Sequence, residues 1–249
     1  MLYSLARILW LLWNWLELAI ITLILYLLSF LPRPLRSAYY FWMYQQWARF
    51  FVRALGVDLR LHQKNIHPLP EKYILIANHP SALEDVGIPA LFPVRSLAKE
   101  EVRDWWWAGR INEAADVLFV KRESRESRHQ ALEQMEEALN RGHNLAIYPE
   151  GGCKGRRLYT SFRFGAFDVS LKTGVPILPV FIHYEAQQDF EWQPPYTLLQ
   201  KMWHFMTSRN SRANYYVYDA IEPAGFKDKE SYNQHVYNLY LQWQAKYLE

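Results

Sequence analysis

Tyr73-Ile74-Leu75-Ile76-Ala77-Asn78-His79-Pro80-Ser81-Ala82-Leu83-Glu84-Asp85 is the stretch that decides the fold. Its first five residues are a continuous apolar run, the pattern of a buried strand. Pro80 interrupts the run, and Ser81-Ala82-Leu83-Glu84 has the spacing of a capping box, in which Ser81 caps a following helix and Glu84 bonds back to its start. Upstream, Leu59 and Leu61 alternate with Arg60 and His62, as on a half-buried strand. Downstream, 127–140 places Ala131, Leu132, Met135 and Leu139 on one helical face, with Gly142 just past the end. Residues 145–148, 177–184 and 215–221 read as further strands, with a helix over 165–173. Strands alternating with helices predict an α/β fold, a mixed sheet flanked by helices, over 58–249.

Residues 1–57 read differently. From Ile8 to Leu31 only Asn14, Glu17, Thr22 and Ser29 break an apolar stretch. As a helix it would be roughly 36 Å long, enough to cross a bilayer with tilt. Glu17 is costly at bilayer depth, so either it lies near an interface or the apolar span is the shorter 18–31, lying partly in the membrane plane. No small-residue cleavage pattern follows, which argues against a cleaved signal. Pro32 and Pro34 are expected to end this helix, and 38–55 reads as a second one, rich in aromatic residues. Arg33 and Arg36 follow the apolar stretch while Arg7 precedes it. That bias predicts a membrane-anchored chain with its α/β part on the cytoplasmic face of the inner or plasma membrane.

Composition narrows the partners. A net charge of +3 is too mild for a nucleic-acid binder but suits membrane lipids. Eleven Trp and 17 Tyr fit either a packed core or a lipid boundary. The single cysteine, Cys153, excludes an internal disulfide and any multi-cysteine zinc site, and no metal or other cofactor is implied.

The chemistry centres on His79. A histidine leaving a buried strand, with Glu84 and Asp85 close behind it, has the parts of a general base and the acid that orients it. Either acid could reach the imidazole, but a one-residue helical step turns a side chain by roughly 100°, so only one of the two should face it. The competing reading of Glu84 is the capping box alone.

Three further segments follow in order: Val117-Leu118-Phe119-Val120-Lys121-Arg122, Tyr148-Pro149-Glu150-Gly151 and Gly174-Val175-Pro176-Ile177-Leu178-Pro179-Val180, the last preceded by Phe164-Gly165-Ala166-Phe167. Together with Asn78-His79-Pro80-Ser81-Ala82-Leu83-Glu84 they resemble the four motifs of the glycerolipid acyltransferases related to 1-acylglycerol-3-phosphate acyltransferase. The resemblance implies that His79 deprotonates a lysophospholipid hydroxyl, most simply that of lysophosphatidate. The hydroxyl then attacks an acyl thioester of CoA or acyl-carrier protein directly. It implies further that Arg122, Glu150 and Gly151 bind the acceptor's phosphate and that Pro176 shapes the site's wall. Two departures stand out: Glu84 replaces the family's aspartate, and Gly152-Cys153 replaces Thr-Arg after the third motif. Lys154, Arg156 or Arg157 would then supply the missing cation, or the acceptor is another lyso-lipid, such as an aminolipid or lysophosphatidylglycerol. A thioester hydrolase and an inactive lipid-binding protein are the rival classes. Cys153 has no base partner recognisable in the sequence.

Overall fold

β2 (Ile74–Ala77) is central because both its faces are apolar. Leu75 and Ala77 join the core on one side of the sheet, while Ile74 and Ile76 join the core on the other. A computed structural model describes residues 2–121 and 123–248 of the chain, and the segment from 58 onward alternates strands with helices. β1 (Asp58–Gln63), β2, α3 (Glu84–Leu91), β3 (Val94–Lys99), α4 (Trp106–Ala114), β4 (Leu118–Val120), α5 (Arg125–Asn140), β5 (Asn144–Ile147), α6 (Gly165–Thr173) and β6 (Ile177–Tyr184) follow in turn. Then come α7 (Gln187–Phe190), α8 (Leu198–Thr207), β7 (Arg212–Val217) and α9 (Lys229–Leu248).

Among the described residues these strands form one seven-stranded sheet in the order β1-β7-β6-β2-β5-β3-β4. β2 runs parallel to β5 and β6, and β3 parallel to β4 and β5; the single antiparallel pair is β6 with β7. The sheet is therefore mixed and flanked by helices. α3 packs with the core that takes Leu75, whereas α6 and α9 pack with the core that takes Ile76. The chain thus leaves the neighbouring strands β2 and β5 toward opposite faces, and the crevice between their C-terminal ends is where open α/β sheets place ligands.

Local chemistry explains several boundaries. α5 starts where the Ser124 hydroxyl accepts from Ser127 N–H at 3.1 Å, and Gly142 at φ +85° follows its end. Pro34 does not terminate anything: α2 (Arg33–Ala54) begins at Arg33, and the proline sits in its first turn, where no backbone N–H is required. The last strand lies at 212–217 rather than 215–221: Tyr218 N–H still donates to Pro179 O of β6 at 3.2 Å, but Pro179 has no N–H to return the bond and the ladder ends. Tyr240 of α9 locks the sheet centre: its hydroxyl lies 2.8 Å from Ile76 O and accepts from Val180 N–H at 3.2 Å.

α1 (Leu2–Leu28) and α2 pack against each other as a helical pair. Within α1, Ile8–Leu28 is long and apolar enough to cross a membrane. Its outer surface is apolar, with Leu12, Leu16, Leu23 and Leu27 all more than half exposed. Glu17 is paired with Arg53 of α2, which also donates from Nε to Asn14 at 2.8 Å. The acidic residue in the apolar helix is thus neutralised by the neighbouring helix.

Candidate active site

Asn78 extends β2 by one residue with its side chain. The amide donates to Ile182 O at 2.9 Å and accepts from Ile182 N–H at 2.7 Å, reproducing a backbone pairing with β6. His79 then emerges at the C-terminal end of the central strand. Its own peptide is braced on both sides: the N–H donates to Glu150 Oε1 at 2.8 Å, and the carbonyl accepts from Lys154 N–H at 3.1 Å.

His79 is 5% exposed, and its imidazole stacks on Tyr148 with centroids 4.1 Å apart and planes 11° from parallel. Nδ1 lies 2.8 Å from Glu84 Oε2, which also accepts from Ser81 N–H at 2.9 Å, while the Tyr184 hydroxyl donates to Oε1. A carboxylate surrounded by donors takes the Nδ1 proton as a further hydrogen bond, leaving the lone pair on Nε2. Burial pushes the Glu84 carboxyl well above its ordinary range, and the bonds from Tyr184 and Ser81 act in the opposite direction. Ser81 does not cap α3, which starts after Leu83 without a side-chain cap, but the expected backward bond from Glu84 to Ser81 N–H and the bond to the imidazole fall on the same oxygen. Asp85, the other candidate orienter, is exposed one helical step on, and the imidazole contact falls to Glu84.

The remaining predicted residues divide. Glu150 is buried at the site, but its carboxylate is engaged with backbone, accepting from His79 N–H and from Tyr159 N–H at 2.7 Å. Burial raises its pKa, against those two bonds. Gly151 at φ +76° closes the turn by donating to Tyr148 O at 3.0 Å, so this N–H points into the turn. A side chain there would collide with Arg163. Lys154 is exposed, with its ammonium 4.2 Å from the Tyr159 ring centroid. Arg156 is ion-paired with the buried Glu191 at 3.2 Å. Arg122 lies outside the described residues. Pro176 requires a correction: its carbonyl accepts from Ile74 N–H at 2.9 Å, beside the N-terminal end of β2. It is buried at the opposite end of the strand from His79 and forms no wall there.

Cys153 is the residue that sequence reasoning missed. Its Sγ lies 3.3 Å from His79 Nε2 and 3.1 Å from Ser81 O. The loops after β2 and β5 converge at the sheet crevice, and seventy-odd positions of separation hid the contact. Tyr184 was equally silent, and Tyr148 was read only as the opening of its motif, since buried tyrosines are ordinarily core. No three His, Cys, Asp or Glu side chains converge to hold a metal ion among the described residues.

A family model described as "Acyltransferase" matches residues 58–183, from β1 to the penultimate residue of β6. The chain belongs to the acyltransferase family. That match includes His79, Glu84, Glu150 and Cys153 but not Tyr184, the next residue of β6. Among characterised acyltransferases, the lyso-ornithine lipid O-acyltransferase of Pseudomonas aeruginosa is 32% identical over 164 residues, 66% of this chain and 60% of that one. The 1-acyl-sn-glycerol-3-phosphate acyltransferase of Neisseria gonorrhoeae is 27% identical over 115 residues, 46% of this chain and 45% of that one. The matches thus span about half of those relatives' lengths. The crystal structure of the 1-acyl-sn-glycerophosphate acyltransferase of Thermotoga maritima superposes with a TM-score of 0.64 at 19% identity. It covers 98% of this chain and 96% of that one, so the acyltransferase fold is shared along its length.

Proposed function

We propose that this acyltransferase moves a fatty acyl group from an acyl thioester, of CoA or acyl-carrier protein, to the free hydroxyl of a lysolipid. The observation that carries the reading is the imidazole of His79, held at Nδ1 by Glu84 with Nε2 directed to the crevice side that carries Cys153. In the reaction Nε2 takes the acceptor's hydroxyl proton as its oxygen attacks the thioester carbonyl carbon. The C–S bond then breaks, and the departing thiolate receives that proton from the imidazolium. Glu84 is a positioning residue that fixes the tautomer and steadies the imidazolium.

Lysophosphatidate is the simplest acceptor. A lyso-aminolipid is the second reading, favoured by Cys153 standing where a family arginine is usual and by the likeness to the lyso-ornithine lipid enzyme. The apolar surface of α1 supports a membrane-associated enzyme, and the arginines following it support a catalytic part on the cytoplasmic side.

The test is acyl transfer by the purified chain in detergent, from labelled acyl-CoA to a panel of lysolipids. His79→Ala should lower the rate roughly 10²–10⁴-fold, the range of a general base. Equal rates in the two proteins would overturn the assignment. Preference for lyso-ornithine lipid over lysophosphatidate would select the second acceptor, and fatty acid release without acceptor would point to hydrolysis instead.

A further inference from the structure

At the opposite ends of the strands from His79 lies a cavity of about 520 Å³ that the acyl-transfer chemistry does not use. It is bounded by Arg95 at the start of β3, His143 just before β5, α4, α5 and the turn after α1. Its size falls within the roughly 300–1,000 Å³ of ordinary ligand sites.

The lining is cationic. Arg33, Arg95, Arg103, Arg110 and Arg141 face it, against the carboxylates of Glu113, Asp116 and Glu137, leaving a surplus of two positive charges with His143 neutral. Asp116 is shared between Arg33 at 2.5 Å and Arg95 at 3.8 Å. Arg103 is turned to Glu100 at 2.6 Å, and Arg141 pairs with Glu137 along α5. Two guanidinium groups are left under-matched. Arg110 meets only neutral groups among the described residues, donating to Ser29 Oγ at 3.0 Å with its guanidinium 3.7 Å from the Phe30 ring centroid. Arg95 is 7% exposed, lies over the Phe41 ring at 3.8 Å, and has no hydrogen-bond partner for Nε among the described residues. A buried guanidinium with an unsatisfied N–H is costly, and an anion entering the cavity would relieve it.

Phosphate suits such a lining because guanidinium forks grip its oxygens two at a time. The neighbouring surface selects the source. Ser29 lines the cavity just beyond the end of apolar α1, and the adjoining Phe30, Leu31 and Leu35 are 56%, 42% and 72% exposed. Exposed apolar side chains thus lie beside the cavity and continue along α1. We propose that this cavity holds the phosphate of an anionic membrane phospholipid whose acyl chains lie along the exposed face of α1, in a site separate from the His79 crevice.

The test is co-sedimentation of the full chain with phosphatidylcholine vesicles, with and without phosphatidylglycerol. Arg33→Gln/Arg110→Gln removes two exposed cations of the rim. Arg60→Gln/Arg212→Gln removes two exposed cations from β1 and β7 at the far edge of the sheet. The wild type and the far-edge variant should share the same preference for phosphatidylglycerol. The rim variant should lose about thirtyfold of it, the effect of two cations at roughly one kcal/mol each near a charged surface. Equal losses in the two variants would mean that net charge alone acts, and would overturn the site. Thermal stabilisation by inorganic phosphate, abolished in the rim variant but without any vesicle preference, would overturn the lipid assignment in favour of a free anion.

Discussion

Glu84 carries opposing demands on one side chain. It is fully buried, so its ionised form is disfavoured, yet the imidazole needs that ionised form to keep its proton on Nδ1. Because burial raises its pKa, ionising Glu84 costs the folded state more than the unfolded chain, and stability falls as pH rises from the ordinary carboxylate range toward the raised value. Glu84→Gln should therefore unfold at an equal or higher temperature than wild type at neutral pH, with the difference shrinking as the solution is acidified toward the ordinary carboxylate range. Its acyl-transfer rate should drop at least tenfold. A lower melting temperature at pH 7 together with unchanged activity would contradict both halves. Cys153 provides a second handle at the same imidazole. Thiol alkylation of the wild type should abolish transfer, because the adduct would fill the space beside Nε2. Cys153→Ser, with a similar small hydroxyl, should keep activity within about threefold and resist alkylation. The His79–Glu84 contact was legible because both residues sit within one strand-turn-helix segment. The Cys153 contact was not, because it depends on two loops meeting across the sheet.

Among the elements, α3 is the lever that places Glu84. It lies close to β7 at Gly87, where a Cβ would run into the Tyr215 hydroxyl. Gly87→Ala should push the helix off the sheet, destabilising the fold by about 1–3 kcal/mol, as overpacking does. It should also slow acyl transfer as Glu84 moves; denaturant melts and rate assays on one preparation would check both. Element boundaries show where sequence patterns fail. The 165–173 helix matched α6 because a glycine in the left-handed region, Gly174 at φ +70°, ends it sharply. β3 and β4 went unread because Arg95 and Lys99 interrupt the first and the second is only three residues long. Pro176 was placed at the site by the resemblance of its motif to the fourth motif of the glycerolipid acyltransferases. Register decides otherwise: Ile177 pairs with Ile74, at the far end of β2 from His79.

For the whole molecule, the α1–α2 pair and the sheet present one continuous design problem: an apolar surface next to a buried polar site. Glu17 illustrates the solution, since its partner Arg53 comes from the other helix of the pair and leaves the outward surface of α1 apolar. In sequence Glu17 read only as a cost, because the compensating charge is 36 positions away. The general architecture was legible from alternation of strands and helices, while the strand order, which sets the crevice, required the long-range pairings.

One oxygen, Glu84 Oε2, holds both the entry to α3 at Ser81 N–H and the imidazole at Nδ1. First helical turns open more readily than whole domains. Any opening of this one takes the imidazole's anchor with it, so catalysis should fade on warming several degrees before the protein melts. The midpoint of reversible activity loss should lie below the midpoint of unfolding followed by far-ultraviolet circular dichroism; coincident midpoints would show that the turn opens only with the whole domain.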